Sequence, residues 1–226
     1  MSLKTPTTYA FIDGENLYKG ISRDVVRKGK VVYRAQSLDY RRFRHYLFQR
    51  YGVSKAFIFI GYQSKQKPLY ESLEKNGFEL IFKKTTVMKF ESRGKITEKV
   101  KGNVDIDIAV YAVGRLFGEY DKAVFVSGDG DFLELYDYMV EKGKFLKLLI
   151  PNSFAYSRLL RENYRSKIQF INTSLTRFMT QKSPANKIGQ VLRSDKSLGV
   201  SGHRDVKSVS NRAKKVNSKI QKGVSK

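Results

Sequence analysis

Over the first 180 residues, short apolar runs alternate with longer stretches whose apolar positions recur at helical spacing. The runs lie at 9–12, 55–60, 78–82, 123–126, 145–150 and 168–171, and the helical patterns at 38–51, 66–76, 104–117, 132–142 and 154–163. Strands separated by helices predict an α/β domain with a largely parallel sheet. In the helix over 38–51 the spacing sets Phe43, Leu47 and Phe48 on the buried stripe and Arg41, Arg42, Arg44 and Arg50 largely outward. Two stretches, 22–35 and 85–101, match neither period and are expected to be long, polar, basic loops of the kind that serve binding or are mobile.

Composition changes the picture at the C-terminal end. No aromatic residue follows Phe178, and 181–226 carries 12 Lys and Arg against two acids, Asp195 and Asp205. Such a segment buries too little apolar surface to offset its ordering entropy. The chain therefore divides into a folded domain over 1–178 and a flexible basic tail over 179–226. The tail is either a solubilising extension or an arm that holds nucleic acid by counterion release.

Across the whole chain Lys and Arg number 44 against 21 acids, a net charge of +23 that points to polyanionic partners. With 41% hydrophobic residues, 14 Tyr and 15 Phe, the rest has ample material for a packed interior. The absence of cysteine excludes disulfide frameworks, thiolate zinc sites and cysteine nucleophiles. Apolar runs such as 56–60 are far shorter than a membrane span, so no membrane association is expected. Residues 1–8 carry no secretory pattern, so a cytoplasmic location is expected.

The acids fall at telling places. Ligands of an open parallel sheet bind at the carboxyl ends of its strands. The run 9–12 is followed by Asp13-Gly14-Glu15-Asn16, and the run 123–126 by Ser127-Gly128-Asp129-Gly130-Asp131. Asp105 and Asp107 open the helix that follows the second basic stretch. Each has a plain structural alternative. Asp13-Gly14 is a turn signal, Asp131 with Glu134 has the spacing of a capping box, and Asp105 sits where a helix dipole favours an anion. Together they would converge in a chain otherwise rich in bases, and crowded carboxylates raise one another's pKa unless a cation sits among them.

Oxygen-only ligands suit Mg²⁺ or Mn²⁺ rather than zinc or copper. An acidic metal cluster in a basic surround points to phosphodiester chemistry. Residues two apart on a helix are separated by roughly 200°. Asp105 is therefore the expected ligand, with Asp107 behind it or as an alternative. Asn16 either accepts from a helix-start amide or orients water or phosphate.

Three segments, 11–17 (Phe-Ile-Asp-Gly-Glu-Asn-Leu), 101–105 (Lys-Gly-Asn-Val-Asp) and 126–132 (Val-Ser-Gly-Asp-Gly-Asp-Phe), occur in an order that resembles the NYN domain, a branch of the PIN-like nuclease superfamily. The resemblance covers about residues 7–173. It implies a Rossmann-like, PIN-type three-layer α/β/α sandwich and a Mg²⁺- or Mn²⁺-dependent ribonuclease centred on Asp13, Asp105, Asp129 and Asp131. Many relatives carry a further Asp where this chain has Tyr111 or a neighbour, which leaves Asp107 as the spare acid. The stretch 150–153 also resembles the family, and Asn152 and Ser153 either reach the site or cap the next helix.

Other chemistries lack support. The two histidines, His45 and His203, lie in a basic helix and in the tail, and no P-loop motif is present. The expected partner is RNA. The second basic stretch offers Arg93, Lys99 and Lys101 to guide a strand toward the acids, with Ser127 beside them, and Tyr62 and Phe90 either stack on bases or simply pack. Lys101 is alternatively an ion-pair partner of Asp105 or Asp129. A binding module that keeps the fold without cutting is the competing reading.

Overall fold

The computed structural model describes residues 5–83, 86–92, 95–101, 104–173 and 178, with the backbone alone for 86–92 and 95–101. The tail expected over 179–226 lies outside the described residues. In chain order the elements are β1 (Thr8–Asp13), α1 (Gly14–Ser22), β2 (Val25–Arg27), β3 (Lys30–Tyr33), α2 (Tyr40–Tyr51), β4 (Val53–Gly61), α3 (Lys67–Lys75) and β5 (Glu79–Lys83). Then follow β6 (Thr86–Ser92), β7 (Lys95–Lys101), α4 (Val104–Val110), β8 (Lys122–Val126), α5 (Leu133–Glu141), β9 (Phe145–Ile150), α6 (Arg158–Tyr164) and β10 (Ile168–Phe170).

Six strands form a parallel sheet in the order β10-β9-β8-β1-β4-β5. The chain lays down β1, β4 and β5 outward to one side, then returns to lay β8, β9 and β10 on the other. The winding direction thus reverses between β1 and β8. A crevice opens at such a reversal, outside the carboxyl ends of the two strands.

Strand alternation builds the three layers. Tyr9 and Phe11 of β1, Phe57 and Phe59 of β4 and Phe125 of β8 point into one core with residues of α4, α5 and α6. Ala10, Ile12, Ala56, Ile58, Val124 and Val126 point the other way, into a second core with Leu17, Phe43, Leu47, Leu69 and Leu73 of α1, α2 and α3. All six residues of β1 are buried, as expected of a central strand covered on both faces. Across the first core Phe11 stacks on Phe57 at 5.8 Å and on Phe125 at 5.5 Å, and Phe125 on Phe145 at 5.8 Å. The architecture is the α/β fold with a largely parallel sheet that the periodicity predicts.

Several local expectations are corrected. A helix, α1, follows β1 directly; its nine residues bury only Gly14, Leu17 and Ile21, too few for a clear period. The expected loop 22–35 holds the antiparallel pair β2–β3, joined by Lys28 at φ 49° and Gly29 at φ 74°. Two consecutive positive φ values suit a two-residue hairpin turn, which a lysine in the first position conceals. The stretch 85–101 holds a second antiparallel pair, β6–β7, with Thr86 opposite Lys101 and Ser92 opposite Lys95. The helix expected over 104–117 ends as α4 at Val110 and continues as a π-helical turn over Tyr111–Arg115. The one expected over 154–163 starts only at Arg158.

On α2, Phe43 and Leu47 are buried but Phe48 is 56% exposed. Arg44 turns inward and donates to three backbone carbonyls, of Gly77 at 2.9 Å, Val53 at 3.1 Å and Ser54 at 2.7 Å, tying α2 to β4 and to the turn before β5. Among the described residues no helix is long and apolar enough to cross a membrane.

Candidate active site

The switch point is built by two strand ends. Asp13, the last residue of β1, is the N-cap of α1, its Oδ1 accepting from the Asn16 amide at 2.9 Å. Gly14 lets this turn form, because a Cβ there would stand 2.9 Å from the Phe59 carbonyl oxygen. One strand over, β8 is followed by the buried Ser127, whose Oγ accepts from the Asp129 amide at 3.2 Å and makes a long 3.4 Å contact to Asp13 Oδ2. Asn16 Oδ1 accepts from the Gly128 amide at 2.8 Å, fastening the β1 turn to the β8 turn.

Asp129, not Asp131, is the cap here. Its Oδ1 accepts from the Asp131 amide at 3.1 Å and starts a short 3₁₀ turn over Gly130–Phe132, which displaces the Asp131–Glu134 capping box expected from spacing. The chain before α6 closes over this turn, the Ser157 amide donating to the Gly128 carbonyl at 2.9 Å.

The electrostatics tie the segments together. Asp13 is only 6% exposed, and its pKa is pushed from 3.8 to about 6, first by burial and then by the charges of Asp105 and Glu15, against the lowering effect of the Asn16 amide and the Ser127 hydroxyl. The Asp105 carboxyl is also raised, by burial and then by Asp129 and Asp131, while Lys83 at the end of β5 works the other way. Beneath them Tyr136 is buried in the core, its phenol held well above the ordinary value by burial and next by Asp13, Asp129 and Asp105.

Asp13, Asp105, Asp129 and Asp131 thus come from β1, α4 and the β8 turn into one electrostatic neighbourhood. Asp107 stands two residues on from Asp105, in the first turn of α4. Glu15 was not among the expected site residues, yet it acts on both Asp13 and Asp105; Lys83, which opens the basic stretch leading to Asp105, opposes the acids. Recognising α1 would have found Glu15, since it occupies that helix's first turn.

Among the described residues no group of three or more acids or histidines is gathered closely enough to ligate one ion as it stands. The donor set still suits a hard divalent cation. Mg²⁺ uses one or two carboxylates and keeps several waters, and a buried carboxylate facing other carboxylates is the arrangement such a charge relieves.

Asn152 is fully buried at the end of β9, its Nδ2 donating to the Gly20 carbonyl at 2.8 Å and its Oδ1 accepting from the Phe154 amide at 2.9 Å. Ser153 is bound through its amide and its hydroxyl to the side chain of Asn172. Both shape the loop before α6, and neither is brought to the acids. Asn16 uses its side-chain oxygen on the Gly128 amide rather than on a helix-start amide. Tyr111 packs edge-on against Phe59 at 5.3 Å. Tyr62 stands at the carboxyl end of β4, 50% exposed. Lys99 and Lys101 lie on β7, described by backbone alone, and Arg93 lies outside the described residues.

Comparison with known proteins supplies the family context. The NYN domain model matches residues 7–168. A crystal structure of a protein of unknown function from Vibrio parahaemolyticus superposes with a TM-score of 0.56 at 22% identity, covering 80% of this chain and 100% of that one, a likeness of fold. No curated protein matches the chain.

Proposed function

This chain belongs to the NYN domain family, and from that premise we propose that it is a ribonuclease that hydrolyses RNA phosphodiester bonds with Mg²⁺ or Mn²⁺. The observation that carries the reading is Asp13, a buried carboxyl at the switch point with Asp105 and Glu15 acting on it and its pKa raised to about 6. Asp13, Asp105, Asp129 and Asp131 would hold the ion. When bound, it supplies Lewis-acid chemistry, making water more acidic and neutralising charge on the phosphate.

The chain's own residues prepare the place. The Asn16–Gly128 hydrogen bond fixes the two acid-bearing turns relative to each other, and Ser127 holds both the Asp129 amide and the edge of Asp13. Lys83 offsets part of the negative field at Asp105. A net charge of +23 draws the polyanion to the surface.

The test is cleavage of labelled RNA by the full chain with Mg²⁺ or Mn²⁺, with chelator, and by Asp129→Asn. Loss of activity in chelator and a drop of at least about 100-fold in the variant are expected, as for removal of a group that stabilises transition-state charge. Cleavage that ignores both would refute the assignment. The second reading, a module that holds nucleic acid without cutting it, is favoured by the absence of three gathered ligands among the described residues. It predicts binding that survives chelation and weakens with salt by a slope of about −0.7 per phosphate neutralised on a single strand.

A further inference from the structure

Beside the acids, the carboxyl edge carries an aromatic feature whose exposure core packing does not explain. Asp13 pairs with Phe59, yet β4 runs on to Gly61, and β5 keeps pace with it, Phe82 opposite Ile60 and Lys83 opposite Gly61. Tyr62 follows directly and is 50% exposed, and Phe82 is 41% exposed. Their rings meet edge to face at 5.5 Å and 85°, and each rests on Tyr70 of α3, at 5.8 and 4.9 Å. Tyr70 is itself anchored, its hydroxyl accepting from the Gln63 amide at 2.9 Å and donating to the Gly61 carbonyl at 3.2 Å. The two outer rings are therefore fixed from below and open from above.

We propose that Tyr62 and Phe82 form a base-stacking platform that makes the site selective for single-stranded nucleic acid, an inference that rests on the nuclease reading above. Strand alternation gives the platform its partner. Phe82 lies on the α3 side of β5, and the next residue, Lys83, lies on the α4 side, where its charge acts on Asp105. One strand end thus turns an aromatic ring to one face of the sheet and a cation to the other, both at the carboxyl edge. Single strands need both: exposed bases stack on rings while phosphates meet positive charge. β5 is two strands from β1, about 10 Å at the usual strand spacing, so one short run of nucleotides spans platform and acids. A duplex keeps its bases stacked inside and offers the rings nothing along its length. Ring faces also read no hydrogen-bond pattern, so recognition here tolerates any base.

The test is fluorescence anisotropy with the full chain in chelator, so that binding is read without cleavage, using a labelled single-stranded RNA and a blunt RNA duplex. The variants are Tyr62→Leu/Phe82→Leu, which keeps apolar packing on Tyr70 but removes the flat faces, and Tyr62→Phe as the conservative control. Far-UV circular dichroism establishes that each is folded. The double variant should bind the single strand about 5- to 150-fold more weakly, with duplex affinity and salt slope unchanged, and Tyr62→Phe should bind as wild type does. Unchanged single-strand affinity in the folded double variant, or an equal loss for duplex, overturns the proposal. Wild type that binds through the rings but never cuts with metal would sink the nuclease reading alone. Cutting with ring-independent binding would sink this inference alone.

Discussion

Asp13→Asn separates the cost of the acidic centre from its use. The Asp13 carboxyl is 6% exposed and its pKa rises from 3.8 to about 6, chiefly through burial and then through the charges of Asp105 and Glu15. A carboxyl that holds its proton more tightly when folded opposes folding once it ionises. Its penalty is absent below about pH 4, grows as pH rises toward 6, and is complete above that. At about 1.4 kcal/mol per pH unit the full penalty is about 3 kcal/mol, an upper bound because a buried amide also loses water. Asparagine caps helices as well as aspartate does, so the cap on α1 survives the change.

The assay is urea and thermal denaturation of wild type and Asp13→Asn in chelator between pH 4 and pH 8. The variant should be more stable by about 2 to 3 kcal/mol at pH 7.5, a Tm gain of about 4 to 10 °C for a domain of this size, and level with wild type near pH 4. Millimolar Mg²⁺ should raise the wild-type Tm and narrow the gap, because an ion binding only the folded state stabilises it. A variant less stable than wild type at pH 7.5, or a difference that does not change with pH, would refute the argument that this carboxylate is held against its own charge.

Two structural residues give contrasting expectations. Arg44→Ala removes three hydrogen bonds to carbonyls and should cost about 2 to 4 kcal/mol in urea denaturation, with Arg44→Lys recovering less than half, since an ammonium cannot reproduce the guanidinium fork. Asn152→Ala strands the Gly20 carbonyl and the Phe154 amide and should cost about 2 to 3 kcal/mol while leaving cleavage per folded molecule unchanged; a selective fall in kcat would instead return Asn152 to the site.

The sequence disclosed the strands best where burial on both sides made them continuous apolar runs, as in β1, β4, β8 and β9. It concealed β2 and β3 because strands of three and four mostly exposed residues have neither length nor alternation to show. Arg44 looked like a solvent-facing cation because a helical wheel reports direction, not what waits there. Phe48 looked buried for the same reason.

Acid placement was legible because it depends on a local fact, that carboxylates follow apolar runs, and on a general one, that parallel strands share a carboxyl edge. What no linear pattern contains is which strand ends become neighbours. The order β10-β9-β8-β1-β4-β5 brought Asp13 beside Ser127 and carried Phe82 and Tyr62 to the same edge. Hydrogen bonding between strands, and burial that strips water from Asp13, act across separations of more than a hundred residues. The residue types and their local spacing were therefore set by the chain, and their charges and partners by its folding.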